Sequence, residues 1–152
     1  MNREFHILVD TREQRPLCFR EETPTERATL KEGDYTARGL EGCVAIERKS
    51  IHDLAASLTT GRERFLRELE RLRPYSFKMI VVEGDLIDLV SGTILRSKAH
   101  PSALLGSVCA IVADGTPVVF ASNARIAAEM VERILRRLHA AHVRRLDESE
   151  AA

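Results

Sequence analysis

Hydrophobic and polar positions along this chain follow two rhythms, one with a period near two residues and one with a period near three and a half. Residues 5–9 (FHILV), 43–48 (CVAIER), 77–82 (FKMIVV) and 117–121 (PVVFA) are short apolar runs bounded by polar or turn-forming residues, and each predicts a strand. Residues 34–38 predict another, joined to 43–48 through Gly39-Leu40-Glu41-Gly42 as an antiparallel hairpin. Residues 11–32, rich in Arg, Glu, Thr and Pro, read as a loop with one helical turn near 25–30, and Gly33 marks the turn that closes it.

The second rhythm predicts helices. Ser50 is a good N-cap with Asp53 at its N3 position, so a helix is expected over residues 51–58. Thr59-Thr60-Gly61 interrupts it. Phe65, Leu66, Leu69 and Leu72 then recur at three-four spacing in an amphipathic helix over residues 62–73, with Pro74 just beyond. Residues 84–100 read as a mobile connection with a short helix near 85–90. A helix opening at Pro101 or Ser102 is apolar on most sides, which predicts burial between layers. The last helix, capped by Ser122 or Asn123 and reaching about Arg145, carries Ile126, Met130, Val131, Ile134, Leu135, Leu138 and Ala141 on one side; residues 146–152 are expected to fray.

A hairpin followed by alternating strands and helices predicts an α/β, three-layer sandwich: a mixed central sheet of about five strands with helices on both faces. The chain has 152 residues, which suits a single domain, 1–152, with its core at about 5–145. A core of that size needs no disulfide or structural metal. Cys18, Cys43 and Cys109 are odd in number and lack CxxC spacing, so they read as buried or half-buried thiols in a reducing compartment. The charged start MNREFHILVDTRE is not a signal peptide, and no run is long and apolar enough to span a membrane; a cytoplasmic protein is expected, nucleoid-associated in a prokaryote. The 23 Lys and Arg balance 23 Asp and Glu, which argues against a purely electrostatic DNA binder. Local asymmetry remains, because residues 61–78 carry Arg62, Arg64, Arg67, Arg71, Arg73 and Lys78 against three glutamates.

The chemistry is concentrated where acids meet predicted strands: VDTRE at 9–13, GDY at 33–35 and IERKSIHD at 46–53. In a strand, Glu47 and Lys49 project to one face while Arg48 points away. If the segment bearing Asp34 is the hairpin partner, Asp34 sits beside Glu47; Asp10, ending a separate strand, is able to reach the same place. Crowded carboxylates resist ionising unless a cation joins them, and Mg²⁺ or Mn²⁺ suits such oxygen donors. Lys49 would then orient water, neutralise a phosphate or, with a lowered pKa, act as a base.

The pattern Gly33-Asp34, Glu47-Arg48-Lys49, Asp53, preceded by VDTRE and followed by VVEG at 81–84, resembles the GD…ERKxxxD motif of the XPF/Hef family of structure-specific endonucleases. The resemblance extends over about residues 5–140. It implies a PD-(D/E)xK restriction-nuclease-like fold and metal-dependent hydrolysis of branched or flapped DNA. It implies Asp10, Asp34 and Glu47 as metal ligands and Lys49 as the catalytic lysine. Arg12 and Arg48 would support the site or touch phosphate, with Asp53 as a supporting acid bonded to Arg48 or Arg12. It also implies a homodimer. Family members usually carry a following helix-hairpin-helix domain, of which no sequence sign is seen, so a separate DNA-binding partner or looser selectivity is expected.

Arg62 and Arg64 are candidate DNA-binding residues on the arginine-rich helix; a solvated helix with i,i+4 ion pairs is the alternative. Ser97, Lys98 and His100 are further candidates, and His139 and His142, three apart on a helix, read as surface residues. The sequence therefore predicts a Mg²⁺- or Mn²⁺-dependent DNA endonuclease, the alternative being a non-catalytic DNA-binding or scaffold subunit of a repair or restriction complex.

Overall fold

The computed structural model describes residues 3–92 and 99–152. Its elements, in chain order, are strands β1 (Ile7–Asp10), β2 (Thr25–Ala28), β3 (Tyr35–Ala37) and β4 (Val44–Ser50), helices α1 (Ile51–Leu58) and α2 (Arg62–Leu72), β5 (Phe77–Glu83), α3 (Leu86–Val90), α4 (Pro101–Ala113), β6 (Val118–Phe120) and α5 (Ala124–Glu150). The strands form one mixed sheet in the order β2-β1-β3-β4-β5-β6. β3 runs antiparallel to β1 and β4, while β5 and β6 continue parallel to β4.

Strand alternation sorts the core into two layers. Ile7, Val9, Tyr35, Ile46, Met79 and Val81 pack against Ala127, Ala128, Val131 and Leu135 of α5. On the other face Ile80 and Val82 pack with Leu54, Phe65, Leu89, Leu104 and Val108 from α1 to α4. The predicted sandwich with helices on both faces is thus the fold observed. β4 emerges from the centre of this sheet with its last residues directly preceding α1, and Ser50 caps that helix by accepting a hydrogen bond from Asp53 N (3.0 Å).

Several expectations are corrected. Residues 25–28, read as a helical turn in a loop, instead form the edge strand β2 parallel to β1, which brings the expected sheet of about five strands to six. Its sequence TERA has no apolar alternation because it is largely exposed; backbone pairing, including Ile7 N to Pro24 O (2.9 Å) and Thr11 N to Ala28 O (3.0 Å), makes it a strand. α4 is not buried all round: Leu104, Val108 and Ile111 face inward, while Leu105 is 40% exposed and Val112 48%. An apolar helix on the outside of a layer covers the core with only one side. The final helix continues past Arg145 to Glu150, where Arg3 pairs with Asp147 and Glu150. His139 is buried, edge-on to Phe5 with ring centroids 5.5 Å apart, because α5 lays it against the start of β1.

Cys43 is half-buried as expected, whereas Cys18 and Cys109 are exposed on a loop and on the open side of α4; all three are free thiols. No described helix is long and apolar enough to cross a membrane. Within the 84–100 connection, His100 caps α4 through Nδ1, which accepts from Ser102 N, whereas Ser97 and Lys98 lie outside the described residues.

Gly84 directly follows β5 at a place where a side chain would be strained. Its φ is +145°, and an added Cβ would lie 2.7 Å from Ile51 Cβ at the start of α1. Gly84→Ala is expected to lower unfolding free energy by about 2–4 kcal/mol, combining backbone strain with overpacking. Urea unfolding followed by circular dichroism measures it, and an unchanged midpoint would contradict this packing.

Candidate active site

The site is built on the β3–β4 hairpin. Gly33 has φ +79°, and a Cβ there would sit 3.1 Å from Ala45 Cβ and 3.2 Å from Ile46 N, so the chain turns closely against β4 only with glycine. The next residue is held from both sides: Asp34 N donates to Ile46 O and Asp34 O accepts from Asp10 N, each at 2.8 Å. Tyr35 pairs with Ile46, so Asp34 falls opposite Glu47. Tyr35 and Ile46 point toward α5, hence Asp34 and Glu47, one residue out of phase, point toward α1 and α2. Lys49 shares the Glu47 face, and Arg48 takes the other.

Two half-buried carboxylates now share a small space. Burial pushes Glu47 up to about 8, and the neighbouring Asp34 charge adds to that, with Lys49 opposing. Burial likewise raises Asp34 to about 6, against the hydrogen bond that Asp34 Oδ2 accepts from Arg48 N (2.8 Å). Glu47 has no hydrogen-bond or ion-pair partner among the described residues. Both side chains line a cleft of about 190 Å³ together with Arg12, Arg64 and Glu68. Lys49 stands beside it, its side chain 11% exposed, with Nζ 4.9 Å from the Phe65 ring centre and 3.8 Å from Glu68 Oε2.

Asp10 reaches the same neighbourhood through its backbone, but its carboxylate is wholly buried and occupied. Oδ1 accepts from Arg12 N (2.8 Å) and Arg12 Nε (2.7 Å), and Oδ2 from Arg12 Nη2 (3.1 Å) and Leu30 N (2.9 Å). Burial alone would raise its pKa, yet these hydrogen bonds outweigh it and hold the group below the usual carboxylate range. Among the described residues no three His, Cys, Asp or Glu side chains are grouped to enclose a metal. The donor set of Asp34 and Glu47 nonetheless suits a hard divalent cation: their mutual repulsion and burial are relieved by positive charge, and such ions complete their shell with water.

Arg48 is turned to the α5 face. It donates from Nε to Glu83 Oε1 (2.5 Å) and from Nη1 to Glu13 Oε2 (2.9 Å) and Arg15 O (2.5 Å). Burial opposes its charge, but Glu83 and Glu13 hold it firmly protonated. Tyr35 Oη also donates to Glu13 Oε2 (2.6 Å) and accepts from Leu17 N (2.9 Å), tying the loop after β1 to β3. Asp53 makes no bond to Arg48 or Arg12 among the described residues; its amide serves the helix cap, and its side chain is exposed near Arg48. Arg64 stands at the rim of the cleft, 84% exposed and 3.4 Å from Glu68, one of the i,i+4 pairs of the alternative reading. Arg62 turns instead toward α4 and donates to Ser107 Oγ (3.2 Å).

Sequence reasoning passed over Glu13, Glu83, Tyr35 and Glu68 as site residues. Glu13 and Glu83 belong to the quoted VDTRE and VVEG segments, so position signalled them. Glu68 follows Phe65 by three residues, which puts an acid on the inward side of an amphipathic helix, and that spacing was a usable signal. A larger cleft of about 330 Å³ lies between residues 18–20 and α5, but its arginines are paired: Arg20 with Glu132, and Arg125 and Arg133 with Glu129. Volume does not select the site; two neighbouring carboxylates with no ion-pair partner among the described residues do.

A family model described as "ERCC4 domain" matches residues 9–134. The fold is similar to that of XPF from Aeropyrum pernix, with a TM-score of 0.69 and 24% identity over 86% of this chain and 60% of that one. It is equally similar to XPF from Aeropyrum pernix in complex with DNA, with a TM-score of 0.68 and 24% identity over 88% of this chain and 64% of that one. The chain therefore spans less than two thirds of the length of these structures. No curated protein matches.

Proposed function

The chain belongs to the ERCC4 domain family, and from that footing we propose that it is a metal-dependent DNA endonuclease acting on branched, flapped or otherwise non-B DNA. One observation carries the reading: Glu47, half-buried, unpartnered and raised to about 8, faces Asp34 beside the Lys49 ammonium. A structural pair would be neutralised by protein groups; this one is left for a cation.

Asp34 and Glu47 would hold a Mg²⁺ or Mn²⁺ ion, which when bound supplies a polarised water and counter-charge for a phosphate. Lys49 contributes a fixed positive charge at the reacting phosphate. The side chain of Arg12, 68% exposed, would exchange Asp10 for a phosphate, which would free an Asp10 oxygen to join the ligands. Arg64 at the rim offers a second phosphate contact, and Arg48 holds β4 and the loop after β1 in register. Water forms a bond to phosphorus, the P–O3′ bond breaks, and O3′ takes up a proton, leaving a 3′-hydroxyl and a 5′-phosphate.

DNA as substrate is consistent with the likeness to a structure described as a DNA complex. The exposed Leu105 and Val112 of α4, together with β6 as the last strand of the sheet among the described residues, suit a homodimer contact. The setting proposed is the cytoplasm, at the nucleoid in a prokaryote.

Purified protein is expected to cut flap or fork DNA in Mn²⁺ or Mg²⁺ and to stop in chelator. Lys49→Ala is expected to lower the rate by about 10²-fold or more. Tight DNA binding with no cutting under any divalent metal would favour the scaffold alternative and overturn the enzyme reading.

A further inference from the structure

We propose that Glu68 is a positioning residue of this centre, holding the Lys49 ammonium at the reaction site without occupying its hydrogen-bond donors. The inference rests on the nuclease reading above and adds to it a residue from α2. Phe65 anchors that helix in the core at 3% exposure, and Glu68, three residues on, lies along the same side. Glu68 lines both the cleft that contains Asp34 and Glu47 and the neighbouring cleft that contains Lys49.

The geometry is that of a charge pair and not of a hydrogen bond. Glu68 Oε2 lies 3.8 Å from Lys49 Nζ, beyond hydrogen-bond range, while Oε1 lies 3.4 Å from Arg64 Nε. The Phe65 ring lies under the same ammonium at 4.9 Å. Lys49 is therefore steered by two attractions that do not consume an N–H, and it donates to no acceptor among the described residues. A lysine tied by a short hydrogen bond would have to break it to meet a phosphate oxygen or a water.

A double-mutant cycle tests this, using single-turnover cleavage of flap DNA in Mn²⁺. Glu68→Gln, which keeps size and loses charge, is expected to lower the maximal single-turnover rate about tenfold, with the enzyme concentration giving half that rate changed by less than about twofold. Glu68→Asp is expected to recover part of the rate. In a Lys49→Ala background Glu68→Gln should change the rate by less than about twofold, because the group it acts through is gone. A full tenfold loss in that background, or no loss in the wild-type background, overturns the proposal. Should the wild-type protein cut no DNA, the nuclease reading fails separately. The pairing is then judged by ¹⁵N-lysine NMR, where a Lys49 ammonium signal present in wild type and lost in Glu68→Gln supports it, and a signal unchanged between them refutes it.

Discussion

Glu47→Gln is expected to abolish cleavage and, at the same time, to make the metal-free protein more stable at pH 8. The loss of activity, about 10³-fold or more, follows from removing one of the two charged oxygens proposed for the cation while leaving shape unchanged. The gain in stability follows from the raised pKa. A carboxyl at about 8 in the folded state and near 4.5 when unfolded binds its proton more tightly in the folded protein. Stability linked to this group is therefore fully present below pH 4.5 and is lost as pH rises toward 8. The amide stays neutral throughout, so the variant escapes that loss, by about 2 kcal/mol or a few degrees in Tm at pH 8, and by much less at pH 5. Saturating Mn²⁺ should reverse the order, because only the wild-type pair binds it well. Thermal unfolding at both pH values, with and without Mn²⁺, gives four midpoints per protein. A variant less stable than wild type in chelator at pH 8 would mean that Glu47 is satisfied within the protein and is no metal ligand in waiting.

The second large effect lies on the opposite face. Glu132 is 2% exposed in the first third of α5, and its Oε1 accepts from Arg20 Nη2 (2.5 Å), Thr23 Oγ1 (2.7 Å) and Arg136 Nε (2.9 Å). Burial alone would raise its pKa, but these donors outweigh it and bring the group down to about 2. Its contribution is therefore present above the unfolded value of 4.5 and is lost as pH falls toward 2. Glu132→Ala removes the acceptor that joins the loop after β1 to α5. Breaking a buried pair costs about 3–5 kcal/mol. Arg20 and Arg136 are partly exposed and can rehydrate, so about 2–3 kcal/mol is expected here. Urea unfolding at pH 7 should report that difference, and at pH 3 the gap between variant and wild type should narrow. Equal midpoints at pH 7 would show that the cluster contributes no net stability.

Both predictions bear on how much was legible beforehand. Glu47 and Lys49 were placed together from spacing alone, because a strand leaves no choice about which side chains share a face. The hairpin length brought Asp34 to them, and Gly33 announced the close turn. Glu132 was invisible: a charged residue beside Val131 reads as the solvent side of α5, until Arg20 and Thr23, more than a hundred positions earlier, arrive to neutralise it. Asp10 shows the same division. Its position at the end of β1 was readable, whereas its commitment to Arg12 and Leu30 depends on where residues 11–30 fold back.

What the sequence by itself determined is local and periodic: β1, β3, β4 and β5 and the caps of α1 and α5, together with the face shared by Glu47 and Lys49. These follow from covalent geometry and from the cost of exposing apolar runs. Tertiary structure alone decided the edge strand β2, the one-sided burial of α4, the burial of His139 and the partners of Arg48 and Glu132. Each of those depends on groups distant in the chain arriving at one place, and no short-range pattern encodes that arrival. Polar groups in particular take their pKa and their role from whichever neighbour the fold supplies.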